Sequence, residues 1–574
     1  MLNKIVIRMK KNSFYVIAAV MTMVILGSCN GLKKMEKYIE ELGATATPNP
    51  LEVHGDSVEI TISGKFPPKY FAKKASVEAT PVLVYGGGET KYKMQGYQGE
   101  QAAGNGAVIP YKTGKSFSYT DRIGYKPEME TSKLELRIHG KQGSKEADFA
   151  PVPVADGIIT TPYLLKNDDK CVWSKDNFVR TLSYTNDSTQ INFDYNSSVV
   201  KPAELKQQDL TNLANFLNTA AANPRMVIKG IEFVAYASPE GEMLLNDNLA
   251  NERAEAGKKA FMDLVKKNKV TTVNEGMFTM SPKGEDWEGF RKAMEVSNIE
   301  DRNIIINVLK MTSDLQQREQ EIKNISKTYL EIQKDIFPSL RRCRMIVKYD
   351  LEGYSDAELI QIGSSNPSSL KYEELMKAGS LIDDLAKKSA IYQAATQKTD
   401  ADYRAFNNLG CVYYMQNKLS DAEAQWSKAY GMKKCTETSN NKGVVTRISG
   451  DRKGALTFFN EASGSSEASY NKGLIDVQNG DYSSAISKMG SYNTFNTSLA
   501  KLLNKDNGGA ASSIEASGDN SAMADYLRAI IAARSNDGSA VGTNLKNAVG
   551  KDASLGEKAK KDLEFRNHKD QLTF

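Results

Sequence analysis

Histidine is almost missing from this chain. His54, His139 and His568 are the only three in 574 residues, and none stands beside a plausible nucleophile or at a spacing that would gather a metal. The HExxH and GxSxG patterns and the glycine-rich nucleotide signatures are absent as well, which removes the commonest routes to hydrolysis and phosphoryl transfer. Carboxylates are plentiful, but a pair such as Glu285 and Asp286 is adjacent in sequence, and adjacent side chains rarely face one ligand as a glycan-cleaving acid and base must. The reading is a protein that is not an enzyme, with no cofactor and no metal. Cysteine is scarce too, at five residues. Cys171, Cys343, Cys411 and Cys435 match no zinc spacing; their bulky neighbours read as those of buried thiols, and a Cys411–Cys435 disulfide stays open. No run of 18 apolar residues follows residue 29, so no later segment reads as a membrane span. Charge of one sign is lacking: the formal net charge is +5, and without Lys4, Arg8, Lys10 and Lys11 of the N-terminal segment it falls to near +1. That leaves no basic field for nucleic acid.

What is present begins with a basic stretch, "RMKKN", an apolar run from Phe14 to Leu26, and "LGSC" ending at Cys29. A positive region followed by an apolar region of that length reads as a secretory signal. Gly27 and Ser28 before the cysteine resemble a lipobox. The resemblance implies that residues 1–28 are removed, that the Cys29 thiol is acylated, and that residues 29–49 are a lipid tether and linker. Initiation at Met1 or at Met9 stays open, because "MKKNSF" already makes a complete start. Acyl chains on one cysteine hold a soluble body at a membrane. In lipoproteins of this type acidic residues soon after the cysteine signal export to the surface; "NGLKK" follows here, which implies the outer membrane, periplasmic side. Leu32, Met35, Ile39 and Leu42 recur at helical spacing and predict a short helix beside the tether, buried against protein.

A length of 574 residues implies three or four domains. Residues 50–165 alternate as strands do, in "SVEITISG" and "KLELRIHG", and predict an immunoglobulin-like β-sandwich without its cysteines. Gly86 to Gly88 follow a strand and lead into Lys91 and Tyr92 rather than a helix, so they predict a hairpin turn and no phosphate cradle. Residues 186–350 alternate strands and helices: a strand in "TQINFDYNSSVV", a helix over 203–219, a strand in "MVIKGIEFVAY", a helix over 242–267, a helical insertion over 300–335, and an edge-compatible basic strand in "RRCRMIVKYD". All 16 prolines lie at or before Pro367, and residues 371–574 read as all-helical. The fold class expected is therefore multidomain α+β: an N-terminal β-sandwich, a central α+β domain and a C-terminal helical-repeat solenoid.

That last region repeats. Leu409, Gly410, Tyr413, Ala422, Trp426 and Ala429 are spaced as in the 34-residue helical-pair repeat. Gly443, Ala455, Phe459 and Ala462 reproduce part of the pattern, then Gly473, Ala485 and Met489, with worn copies around Tyr392 and Ala395 and near Ala529, Leu545 and Ala548. The region resembles the tetratricopeptide family, whose concave face binds extended peptides or helices of partner proteins.

The stretch "VAYASPEGEMLLNDNLANERA", residues 234–254, carries a second resemblance. Asn246, Leu249, Arg253 and Ala254 after a buried strand and a turn at Gly241, with "INFDYNSSVV", "GEDWEGF" and the closing "RRCRMIVKY", resemble the OmpA-like peptidoglycan-associating domain, in a variant of Bacteroidota type. The family binds the diaminopimelate of wall stem peptides with an aspartate at a helix start and an arginine farther along. Arg253 stands at the arginine position, and Ser238, 15 residues earlier, at the aspartate position. Serine caps a helix as aspartate does, and Pro239 suits a first helical turn, but the negative charge is gone. Either Glu240 replaces it, with Asn246 holding the loop, or Arg253 pairs with Asp247 or another acid in a domain that only packs. The first case implies a link from the outer membrane, or a membrane complex, to peptidoglycan. The second implies an accessory scaffold of an outer-membrane machine, such as barrel assembly, secretion or a fimbrial system, docked on an integral outer-membrane protein or complex through its repeats.

Overall fold

The computed structural model describes residues 30–574. The signal segment, the choice between Met1 and Met9, and the acylation site Cys29 lie outside the described residues. The compact units do not follow chain order. One joins the chain up to Ser174 with Asp402–Phe574; the other is Lys175–Ala401.

The first unit opens with a two-sheet sandwich. Ser57–Phe66 is the hub of one sheet, paired with Thr45–Thr47, Leu51–His54 and Lys115–Gly124; Ala75–Tyr85 and Ser132–Gln142 form the centre of the other. Alternation sends Val58, Ile60 and Ile62 from one sheet and Leu134, Leu136 and Ile138 from the other into a shared core. The helix Asn30–Lys37 buries Leu32 and Met35 in that core, and the Tyr70 hydroxyl donates to the Met35 carbonyl at 2.7 Å. Residues 30–47 are thus part of the sandwich, which corrects the expectation of a linker over 29–49. Gly86 and Gly87 turn the chain from Ala75–Tyr85 back into Gly88–Lys91.

The same unit continues as antiparallel helix pairs: Tyr403–Met415 with Leu419–Met432, Thr436–Ile448 with Arg452–Glu461, Ser466–Asn479 with Tyr482–Met489, Phe495–Leu503 with Asn507–Ala516, and Ala522–Arg534 with Gly538–Lys551. Each early pair closes on a glycine. A Cβ on Gly410 would lie 2.4 Å from the Trp426 ring, on Gly443 2.6 Å from Phe459, and on Gly473 2.3 Å from Met489. Small residues on first helices against large ones on second helices are what the spacing predicted, and the region is a tetratricopeptide-like array. Cys435 caps the helix Thr436–Ile448 and is a free thiol, as is Cys411, so the disulfide left open between them is not formed.

The second unit carries a four-stranded sheet in the order Thr181–Asn192, Arg342–Glu352, Met226–Ala237, Phe278–Glu285, with the last pair parallel. Helices Gln208–Ala222 and Met243–Lys267 cover one face over Ile191, Phe233, Met345 and Val347. The strand with the arginines is central and not at an edge. Cys343, Met345 and Val347 face the helices, while Arg342 and Arg344 turn to the other face and pair with Asp286 and Asp187. Phe278–Glu285, not among the predicted strands, is a terminal strand of the sheet, where its Pro282 is tolerated. The insertion folds as short helices, from Trp287–Val296 to Ser326–Asp335, around Phe290, Met294, Ile305 and Phe337. Helices Asp356–Ser365, Tyr372–Leu381 and Leu385–Thr396 complete the unit.

Candidate functional site

At the corner where a wall peptide was expected, the strand Met226–Ala237 ends and the next helix starts only at Met243, with Glu242 at its N-cap. Ser238 and Pro239 therefore sit in a turn and present no helix N-terminus, contrary to the expected cap. The Ser238 hydroxyl donates to Glu240 Oε1 at 2.6 Å, and the same oxygen lies 3.4 Å from Arg341 Nε. Glu240 does approach the vacated aspartate position, but Arg341 neutralises it from within. Asn246 Nδ2 holds the loop through the Glu240 carbonyl at 3.2 Å and also donates to Glu285 Oε1 at 2.8 Å.

Arg253 is 1% exposed, and its guanidinium donates to three main-chain carbonyls: Ser197 at 3.0 Å, Tyr236 at 3.0 Å and Asp194 at 3.2 Å. Burial, with repulsion from Arg341, pushes it down to about 10. It pairs neither with Asp247 nor with a free ligand position. Of the residues expected to take a stem peptide, Ser238, Glu240, Asn246 and Arg253 each bond to the chain's own atoms, and the buried Arg253 guanidinium turns three of its donors to backbone carbonyls. Glu285 and Asp286 are likewise engaged. Glu285 also accepts from Trp287 Nε1 at 2.8 Å, and Asp286 caps the helix Trp287–Val296 through the Gly289 N–H at 2.8 Å.

A different site is fully assembled in the first unit. The chain leaving the sandwich, residues 161–174, makes a 3-10 turn at Thr161–Leu164 and then runs extended along the first helices of the repeat pairs, antiparallel to their order. Four asparagines clamp it. Asn496 accepts from the Lys166 N–H at 2.9 Å and donates to its carbonyl at 2.8 Å. Asn471 does the same to Lys170 at 2.8 and 2.9 Å, Asn441 to Val172 at 2.7 and 2.8 Å, and Asn408 to Ser174 at 2.7 and 2.9 Å. A carboxamide carries a donor and an acceptor side by side, so each rung meets a peptide group as a neighbouring strand would. Residues 170, 172 and 174 are contacted alternately because an extended chain turns every second residue the same way. All four asparagines are buried, and they are linked laterally: Asn441 donates to Asn407 at 2.9 Å and Asn471 to Asn440 at 3.0 Å.

Side-chain contacts fix which segment sits there. Arg447 grips Asp169 through Nε at 2.6 Å and Nη2 at 2.5 Å, with both side chains sealed from solvent, and reaches Asn167 at 2.8 Å. Burial presses the Asp169 carboxyl upward against the pull of that guanidinium. Asp168 accepts from the Tyr470 hydroxyl at 2.7 Å and from Asn496 at 2.6 Å. Lys166 lies over the Phe495 ring and pairs with Asp519 at 2.8 Å; Thr161 donates to Glu564. Burial works to raise the Asp519 carboxyl, but Lys166 and Ser521 overrule it and hold it down to about 2.

Sequence reasoning passed over this ladder. Its signal was an asparagine two residues before each small position, in "FNNLG", "SNNKG", "YNKG" and "FNTS". Chemically the groove holds the strap by its main chain at four rungs and by its side chains at Asp168 and Asp169. Among the described residues no cluster of three or more histidine, cysteine or carboxylate side chains could hold a metal.

No family model matches the chain, and no curated protein does. Among solved structures, it is similar to a tetratricopeptide repeat protein from Parabacteroides merdae ATCC 43184, at 14% identity over 38% of this chain and 90% of that one, with a TM-score of 0.27. It is also similar to the Cut9–Hcn1 hetero-tetramer of the APC/C, at 10% identity over 64% and 81%, TM-score 0.31. A third is YrrB, a tetratricopeptide repeat protein with an unusual peptide-binding site, at 17% identity over 36% and 98%, TM-score 0.20.

Proposed function

We propose that the protein is a non-enzymatic scaffold of the bacterial envelope, held through acylated Cys29 at the periplasmic side of the outer membrane and serving an integral outer-membrane protein or complex. The observation that carries the reading is the asparagine ladder: the repeats are built to hold main chain, which is the work of an interaction module, while Arg253, expected to meet a wall peptide, is turned to three of the chain's own carbonyls. The helix beginning at Asn30 is seated in the sandwich core, so a lipid on Cys29 would tie membrane to folded protein with no spacer between them. The groove itself is occupied by residues 161–174, so partner contact falls to other surfaces or follows release of that segment.

Affinity purification of the full chain from native membranes after crosslinking tests this. The expected result is one integral membrane protein recovered in near-stoichiometric amount and lost with Cys29→Ala, together with no saturable co-sedimentation on peptidoglycan. Recovery of the protein alone, with saturable binding to sacculi, would restore the wall-linking reading and end this one.

A further inference from the structure

Two of the four cysteines among the described residues lie on either side of the boundary between strap and groove, at one apolar cluster. Cys171 lies on the strap between the rungs at Lys170 and Val172. Cys411 lies on the helix Tyr403–Met415, three residues beyond the rung Asn408. The Cys411 thiol reaches the Val172 carbonyl at 3.6 Å and receives Asn441 Nδ2 at 3.4 Å. Cys171 is the strap residue next to Val172 and packs against the cluster that holds Cys411, whose thiol lowers Cys171 below its ordinary range. Both sulfurs share one apolar cluster with Trp426 and Val444. Cys411 is buried, whereas Cys171 is partly exposed. The other two thiols are placed elsewhere: Cys435 caps a helix beside Thr438, and Cys343 is sealed in the second unit, where burial pushes it up to about 12.

We propose that Cys171 and Cys411 are a disulfide site that locks the strap into the repeat groove. The partly exposed Cys171, as thiolate, attacks one sulfur of an external disulfide, small-molecule or protein. That S–S bond breaks, one half leaves as a thiol after taking a proton, and Cys171 carries the other half as a mixed disulfide. Cys411 then loses its proton and attacks Cys171 Sγ, expelling the second half. Two cysteines are oxidised, the external disulfide is reduced to two thiols, and the new S–S bond joins the segment between sandwich and second unit to the first repeat of its own unit. With the bond closed, the groove cannot exchange its strap for another extended chain; with it open, only the ladder and the ion pairs hold the strap.

The test treats the purified full chain with oxidised glutathione and maps the unreduced peptides. We expect a loss of two hydrogens, a crosslinked pair carrying Cys171 and Cys411, and a Tm higher by several degrees that returns to its starting value with reductant, because the bond closes a loop of more than 200 residues in the unfolded chain. Cys435→Ser should retain the crosslink and the shift; Cys171→Ser should lose both while folding normally. Both thiols remaining alkylatable after oxidation would overturn the proposal. So would glutathione left on Cys171 with Cys411 free, or a Cys411–Cys435 bond. If Cys411→Ser fails to fold, the map of the unmutated chain still decides.

Discussion

Arg253 is buried and turned toward its own unit. Its three carbonyl contacts are all to the domain's own backbone, from Asp194, Ser197 and Tyr236. Replacing it by alanine should leave three buried acceptors without a donor, at roughly 1 to 3 kcal/mol each before relaxation. The expected outcome is a fall of about 3 kcal/mol or more in the urea stability of residues 175–401; unchanged stability would mean the side chain is free to meet a ligand. A pH effect belongs at this scale too. Asp562 accepts from the Tyr526 hydroxyl at 2.7 Å and from the Glu564 N–H at 3.0 Å, and burial, with the neighbouring Glu564 charge, raises it to about 6. A carboxyl raised in the folded state favours folding fully below its unfolded value near 4, and that contribution fades as pH rises through 6. Asp562→Asn should therefore gain stability relative to the parent between pH 4 and 7. A Tm difference that stays flat across that range, or runs the other way, would refute the assignment.

At the scale of elements, the repeat packing was legible and the strap was not. Gly410 against Trp426 and Gly443 against Phe459 follow from the spacing of small and large residues, since each pair lies within one helical hairpin. The pairing makes a graded prediction. Gly410→Ala drives a Cβ to within 2.4 Å of a rigid indole, while Gly473→Ala meets the flexible Met489 at 2.3 Å. Overpacking of this kind costs about 1 to 3 kcal/mol, so the first change should fall at the high end and the second at the low end in chemical denaturation. The strand Arg342–Glu352 was misread as an edge because its arginines look solvent-facing, yet alternation alone puts Cys343, Met345 and Val347 into a core. Nothing local announces the ladder's partner: Asn408 and Asn496 meet residues 234 and 330 positions away. The surroundings of Arg253 were out of reach for the same reason, since its guanidinium donates to carbonyls 17 to 59 residues distant. Asn441 is the rung to test, because it also donates to Asn407. Asn441→Ala removes both of its bonds to Val172 and should lower stability by roughly 2 to 4 kcal/mol. Asn441→Asp keeps an acceptor for the N–H but sets an oxygen against the carbonyl, and should do no better. A neutral result for both would show that the strap is held elsewhere.

At the scale of the molecule, the strap explains why the first unit is made of two distant stretches of chain. The sandwich and the repeats meet where Arg452 pairs with Asp56 at 2.8 Å and where Gly55 packs on the backbone of Asn479, and residues 161–174 run from one into the groove of the other. A bare groove would exchange the paired bonds that Asn408, Asn441, Asn471 and Asn496 make to the strap for water, so the sandwich's own continuation adds stability to the repeats. The second unit, Lys175–Ala401, is on this view an insertion between two halves of one body. Residues 30–174 and 402–574, produced together as two separate chains with 175–401 omitted, should therefore co-purify as a 1:1 complex and unfold in one transition. Ending the first chain at residue 160, before the strap, should abolish the complex or weaken it severalfold while leaving the sandwich core intact. If the two chains elute apart, or if the shortened one binds as well as the full one, the strap is not what joins them, and the repeats would have to owe their stability to their own helix pairs alone.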